Sequence, residues 1–309
     1  MTTLRIGTRA SKLARTQSTL VGDKLAAALG VTVELVCVGT AGDSSTAPLT
    51  EIGGQGVFVG AVRNALADGR VDVAVHSLKD LPTISDERVR LAAVPERADP
   101  RDALVARDAL TLGELPVGSR VGTGSPRRMA QLQALGMGLH ITPIRGNVDT
   151  RLRKVHDREL DAVVLARAGL ARLGREDEIT ETIDPIQMLP APGQGALAVE
   201  VQAGATGLLD DVEQVLDHTA TRCAVAAERA LLRDLGAGCS APVGALAEVA
   251  EGDEGLEVWL RGVVLALDGS DLVRLSASGA VTDADGLGSR LAVQMLAEGA
   301  AGLMQEQAS

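Results

Sequence analysis

RVGTGSPRRMAQLQAL, Arg120–Leu135, is a strand end that turns directly into a helix. Arg120–Gly122 closes the strand. Ser125 stands as N-cap, Pro126 sits at the first helical position, and the helix runs to Leu135. A strand feeding a helix is the repeating unit of an α/β sheet. The unit recurs downstream, with His140–Ile144 a strand, Asn147–His156 a helix and Ala162–Ala166 a strand. It also recurs upstream. Leu4–Gly7 is a strand, and Ser11–Leu29 is a helix with Leu13, Ala14, Gln17, Leu20, Val21 and Leu25 along one stripe. Val31–Val38 (VTVELVCV), Val71–Ser77 (VDVAVHS) and Leu91–Val94 are strands, and Val57–Ala67 is helical. The alternation predicts parallel α/β sheets with right-handed crossovers.

Two Pro-containing segments, PERADPRDA at Pro95–Ala103 and LPAPGQG at Leu189–Gly195, read as crossing points between two such lobes. The expected domains are residues 1–95 with 196–216 as a first lobe, 96–195 as a second, and 217–309 as a small α+β domain. The third domain holds the long helix His218–Leu235, the loop GAGCSAPVG at Gly236–Gly244, and an antiparallel meander over Ala245–Ala250, Glu257–Leu267 and Asp271–Val281. Asp283–Met304 reads as its final helix. Ala196–Val201 is a short strand. The polar loop Gly39–Gly56 is long enough to be expected as a mobile functional lid or as a partly disordered segment. Two doubly wound α/β lobes predict a cleft, with ligands outside the carboxyl ends of the strands.

The chain has 309 residues, 46% of them apolar, so sizeable cores are available and global disorder is excluded. Aromatics are only Phe58 and Trp259, which excludes a base-stacking surface for single-stranded nucleic acid. Net charge is −11, against general DNA binding. Residues 201–309 hold 6 basic and 17 acidic side chains and so carry the whole excess. The first two thirds are free to concentrate arginine, which forks well onto carboxylates and phosphates. Three cysteines (Cys37, Cys223 and Cys239) and four histidines show no metal-ligand spacing. The start MTTLRIGTRASK has no apolar signal core, and no apolar run of about 20 residues occurs. A cytoplasmic protein without membrane or nucleic-acid partners is expected.

Four motifs carry candidate chemistry. In GTGSPRR, Gly122–Arg128, a helix N-terminus with Thr123 and Ser125 hydroxyls suits an anion. Arg127 and Arg128 in its first turn are disfavoured by the helix dipole unless an anion is present. The bland alternative is a capped helix with solvated arginines. RGNVDTR, Arg145–Arg151, repeats the arrangement after the next strand, with Asn147 a candidate N-cap. With Arg9 in GTRAS these make five arginines at strand-to-helix turns, of which one or two are expected to point outward. Together they suit a ligand with several carboxylates. HSLKDLP, His76–Pro82, ends a strand, and Asp80 beside Lys79 could stabilise a cation or relay a proton. Otherwise the pair is a surface ion pair worth roughly 0–1 kcal/mol. His76 reads as a satisfied core or strand-end histidine rather than a ligand. Cys37 reads as an inert core thiol and Cys223 as helix packing. Cys239, between glycines and a proline, is the thiol placed to react, although no nearby His or Asn completes a hydrolytic pair.

GTRASKLA, HSLKDLP, ERADPRDA, GTGSPRR, RGNVDTRL, ARAGLARL, PAPGQGALAVE and ERALLRDLGAGCSAPVG, in this order across nearly the whole chain, resemble the hydroxymethylbilane synthase (porphobilinogen deaminase) family. The resemblance implies two lobes like those of type II periplasmic binding proteins and a third domain whose cysteine, here Cys239, holds a dipyrromethane cofactor by a thioether. It implies head-to-tail addition of four porphobilinogen units with loss of ammonia, then hydrolytic release of hydroxymethylbilane. The catalytic aspartate maps onto Asp80. Ser77, Lys79, Thr123, Ser125, Arg127 and Arg128 map onto cofactor-holding positions. Arg9, Ser11, Gln17, Arg145, Arg151 and Arg172 map onto positions that bind substrate side chains. No metal is implied, and a monomer is the usual form.

This chain departs from the pattern at three places. The lid reads Gly53-Gly54-Gln55-Gly56 where Lys is common at the third position, Gly124 replaces a common Ser, and Arg167 replaces a smaller or apolar residue. The competing reading is a solute-binding or ligand-sensing protein for a polycarboxylate. Such a protein needs neither Asp80 nor Cys239.

Overall fold

The computed structural model describes residues 2–39, 59–238, 241–252 and 255–305. The chain divides into two units, Met1–Ala98 with Ala196–Arg222, and Asp99–Gly195 with Cys223–Ser309.

In the first unit β1 (Thr3–Arg9), β2 (Thr32–Val38), β3 (Val73–Ser77), β4 (Val89–Ala93) and the later strand β10 (Leu197–Gln202) form one sheet, ordered β2-β1-β3-β10-β4. Helix α1 (Lys12–Leu29) starts where Ser11 Oγ accepts the Ala14 N–H, and it stops at Gly30, whose φ of 65° suits glycine. Its Val21 and Leu25 pack with Leu4, Ile6, Val199 and Val201 on one face of the sheet, joined by Val212 and Leu216 of α6 (Leu208–Leu216). Helix α2 (Gly60–Ala67) covers the other face through Val62, Ala65 and Leu66.

In the second unit β5 (Asp102–Ala106), β6 (Arg120–Thr123), β7 (His140–Pro143), β8 (Ala162–Ala166) and β9 (Glu181–Thr182) form a sheet ordered β7-β6-β8-β5-β9. Helices α3 (Pro126–Ala134), α4 (Val148–His156) and α5 (Arg167–Arg172) follow β6, β7 and β8. Asn147 caps α4, its Oδ1 accepting the Thr150 N–H at 2.9 Å. The C-terminal part of this unit has α7 (Thr219–Asp234, which begins in the first unit), β11 (Val243–Gly252), β12 (Gly255–Leu265), β13 (Leu272–Ala280), α8 (Ala284–Ala297) and α9 (Ala300–Gln305). The antiparallel meander β11-β12-β13 buries Val258, Leu260 and Val264 against Leu231, Leu291 and Met295 of the helices. Its Leu246, Val263 and Leu265 pack on Ala130 of α3 and on Leu189.

The two α/β sheets share one topology, and neither is purely parallel as the alternation predicts. Each admits one antiparallel strand, β10 between β3 and β4, and β5 between β8 and β9. Both begin just after a crossing between units. Hydrophobic alternation carries no sign of strand direction, and these two strands arrive from the other unit rather than from a local crossover helix. Cys37 is exposed, not a core thiol, because β2 is an edge strand. Cys223 packs partly buried against the C-terminal core. The final helix is two helices, broken at Gly299 with φ 97°. Apart from Gly39, the lid segment Gly39–Gly56 lies outside the described residues, as do Phe58 and Cys239.

Candidate active site

In the first unit the candidate residues gather where β1 and β3 end. After Ser77 the chain makes one 3-10 turn, Leu78–Asp80. Buried Leu78 pins the turn. Its N–H donates to Ala196 O, just ahead of β10, and the Leu81 N–H donates back to Leu78 O. Lys79 and Asp80 thus ride half-buried on an anchored turn. Ser77 and Gln17 are brought together, with Gln17 Nε2 donating to Ser77 Oγ at 3.0 Å. Ser11 caps α1, and Arg9 ends β1 half-buried.

Beneath the turn lies a charge cluster that sequence reasoning missed. Arg63 of α2 forks onto Glu200 of β10, Nε to Oε2 at 3.0 Å and Nη2 to Oε1 at 2.6 Å. His76 Nε2 stands 3.3 Å from Glu200 Oε2, within ion-pair range but off hydrogen-bond geometry. All three side chains are buried. Burial pushes the Glu200 carboxyl up, and His76 and Arg63 outweigh it, leaving the group below its ordinary 4.5. In ALAVEVQ, Glu200 looks like any outward residue of an alternating strand. A carboxylate inside an otherwise apolar run was the available signal.

In the second unit the arginines predicted to bind anions are brought together. Thr123 Oγ1 accepts the Ser125 N–H at 3.3 Å. Ser125 is the N-cap residue of α3, but its side chain makes no capping bond. Gly124 is not interchangeable with serine here, since a Cβ would stand 2.5 Å from the Ile144 carbonyl oxygen. Arg127 and Arg128 are buried, not solvated. The anion that the helix dipole demands is Asp102, fully buried at the start of β5. Arg127 Nη1 donates to its Oδ2 at 2.8 Å, Arg128 Nε to its Oδ1 at 3.0 Å, and Gln194 Nε2 to Oδ1 at 2.8 Å. Burial opposes ionisation of Asp102, but the two arginine charges and these bonds hold its carboxyl far below the usual range. Asp102 and Gln194 were not predicted. The pairing spans 25 residues of sequence and shows only as a lone acid opening an apolar strand.

Among the described residues, Asp102 alone does not balance the cluster. Burial first, then Arg128 and Arg145, lower the pKa of Arg151 to about 10, although its Nε donates to Gly146 O at 2.8 Å. Burial alone lowers Arg172 to about 10, with its Nη2 donating to Gly195 O at 2.6 Å. Among the described residues, Arg127 Nε and Arg145 Nη1 are buried without a hydrogen-bond partner. Arg167 is engaged elsewhere, with Asp99 and Glu176. The described residues hold no metal-ligand cluster and no helix long and apolar enough to cross a membrane.

Buried guanidiniums with spare donors call for further anions, and the two α/β sheets of matching strand order, with a small α+β part added, define a mixed α/β protein built on a repeated sheet. A family model described as porphobilinogen deaminase, dipyrromethane cofactor binding domain, matches residues 4–210, and one for the porphobilinogen deaminase C-terminal domain matches residues 222–297. Porphobilinogen deaminase of Mycobacterium tuberculosis (strain ATCC 25618 / H37Rv) is 59% identical over 306 residues, covering 97% of this chain and 98% of that one. The Mycobacterium marinum (strain ATCC BAA-535 / M) protein of the same name is 58% identical over 306 residues, covering 97% and 96%. A periplasmic substrate-binding protein from Coxiella burnetii aligns over 73% of this chain and 96% of its own, at 14% identity and a TM-score of 0.44. The chain belongs to the porphobilinogen deaminase family. The surplus of buried positive charge fits the carboxylated dipyrromethane that the matched domain binds.

Proposed function

We propose that this chain is a hydroxymethylbilane synthase, joining four porphobilinogen molecules head to tail with release of ammonia and then freeing the linear tetrapyrrole by hydrolysis. The observation that carries the reading is the under-neutralised arginine cluster on the strand-to-helix turns of the second unit. Each porphobilinogen brings an acetate and a propionate, so a growing chain supplies many carboxylates.

The bound dipyrromethane supplies the pyrrole carbon from which the chain grows. Cys239 holds it by a thioether. Ser77, Lys79, Thr123, Ser125, Arg127 and Arg128 hold its polar groups. Arg9, Ser11, Gln17, Arg145, Arg151 and Arg172 take the substrate's acetate and propionate. Asp80 is the catalytic carboxylate. Its anchored turn suits a fixed charge that stabilises the cation formed on porphobilinogen as ammonia leaves, and that orients the pyrrole N–H. Residues 1–95 with 196–216, 96–195 and 217–309 are its three domains. It works as a cytoplasmic monomer, with no nucleic-acid or membrane partner.

The test is the intact mass of the purified protein under denaturing conditions, with peptide mapping, before and after incubation with porphobilinogen. A mass excess of one dipyrromethane on the Cys239 peptide, with ammonia released, is expected. A chain that binds porphobilinogen but gains no adduct and releases no ammonia is a binding protein, and the proposal fails.

A further inference from the structure

The arginine cluster is wired to both places where the chain passes between its units. The first crossing is at Ala98–Asp99 and the second at Gly195–Ala196. Arg127 Nη1, which holds Asp102, also donates to Leu189 O at 2.6 Å. Gln131, one turn along α3, closes a double bond to the same residue, Nε2 to Leu189 O at 3.0 Å and Leu189 N–H to Oε1 at 2.8 Å. Arg172 holds Gly195 O. Gln194 joins the two crossings directly, since its Nε2 donates to Asp102 Oδ1 at 2.8 Å and to Pro100 O at 2.7 Å. The segments at 99–102 and 189–195 therefore end on the groups that carry Arg127 and Arg128.

We propose that Asp102 and Gln194 are positioning residues that couple the anion load on Arg127 and Arg128 to the two crossing segments. The proposal rests on the reading that these arginines hold the cofactor's carboxylates. Among the described residues, Asp102 is the buried carboxylate set against Arg127 and Arg128, while Arg128 and Arg145 repel Arg151. Ligand carboxylates relieve that repulsion. The bonds that the guanidiniums already make to Asp102 and Leu189 O then open less often, and the crossings tighten with them.

Hydrogen exchange read by mass spectrometry tests this, comparing protein made in a host unable to form porphobilinogen with the same protein after incubation with porphobilinogen, the load verified by denaturing mass. In the wild type, amides at 96–103 and 189–195 should exchange about fivefold more slowly when loaded. Gln194→Ala removes the Gln194 bonds to Asp102, to Pro100 O and from Arg128 Nη2, but neither Arg–Asp102 ion pair. It should take up dipyrromethane while the loaded-to-unloaded ratio at 96–103 falls to near one. Asp102→Asn should lose the ratio at both segments; should it fail to fold, Gln194→Ala still decides. A purely structural role would speed exchange equally in both states. A wild type with no load dependence, or Gln194→Ala with the wild-type ratio, overturns the coupling. Arg127→Gln and Arg128→Gln variants that load and protect like wild type would instead overturn the underlying site reading.

Discussion

Arg151→Gln should stabilise the ligand-free protein while damaging the loaded one. Burial, Arg128 and Arg145 hold Arg151 at about 10 against an ordinary 12.5. A cation whose folded pKa lies below its unfolded value destabilises the fold at all pH below about 10, and the cost fades as pH rises from there toward 12.5. At neutral pH the difference corresponds to about 3 kcal/mol. Glutamine removes that cost but also removes the bond from Nε to Gly146 O, worth about 1 kcal/mol. The net is about 2 kcal/mol in favour of the variant. Referred to a second unit of roughly 180 residues, this raises Tm by about 5 °C. With ligand present the sign reverses, because a carboxylate loses its partner, and the KM for porphobilinogen should rise about tenfold or more. Scanning calorimetry at pH 7.5 on loaded and unloaded protein reads both effects, with Arg153→Gln, exposed on the same helix, as control. An unloaded Arg151→Gln protein that melts at or below the wild-type temperature would refute the picture of a strained, ligand-seeking cluster.

Glu200→Gln leaves the Arg63 guanidinium buried without a counter-charge and should cost about 3–5 kcal/mol in urea unfolding, most of it recovered when Arg63→Met accompanies Glu200→Leu. Since the Glu200 carboxyl is held below 4.5, its contribution is complete above that pH and fades as pH falls, so the stability curves of wild type and Glu200→Gln should converge on acidification. Asp80→Asn should fold and keep its dipyrromethane by mass, with turnover reduced about a hundredfold or more; near-normal ammonia release would remove Asp80 from its assigned role. Cys239→Ser should give a folded chain with no pyrrole adduct, and an adduct on another peptide would show that the wrong thiol was chosen.

The strand-to-helix turns were legible because local chemistry writes them. Ser11 and Asn147 cap where an N-cap residue should, and Pro126 opens α3. Membership of the family was legible from the ordered motifs. What the turns hold was not. Asp102 meets Arg127 and Arg128 only after β5 crosses the second unit, and no short-range pattern marks a contact of that kind. Glu200 is hidden likewise, because Arg63 and His76 come from elements far upstream. Strand direction failed for β10 since hydrophobic period is blind to polarity, and β5, hidden inside the polar crossing segment, was not read as a strand at all. Cys37 failed because an edge strand and a central strand are equally rich in valine. In each case the missing information was tertiary.

The antiparallel insertion of β10 has a consequence for how the protein is made. The first 98 residues emerge from the ribosome with β1, β2, β3 and β4 but without the strand that lies between the last two. Val199 and Val201, which belong to the same core as Leu4 and Ile6, arrive about a hundred residues later. The sheet of the first unit therefore closes only after the whole of the intervening lobe has been synthesised. Glu200 comes with the same strand, so Arg63 waits unpaired until then. Completion of this sheet is therefore a late event of translation rather than an early one.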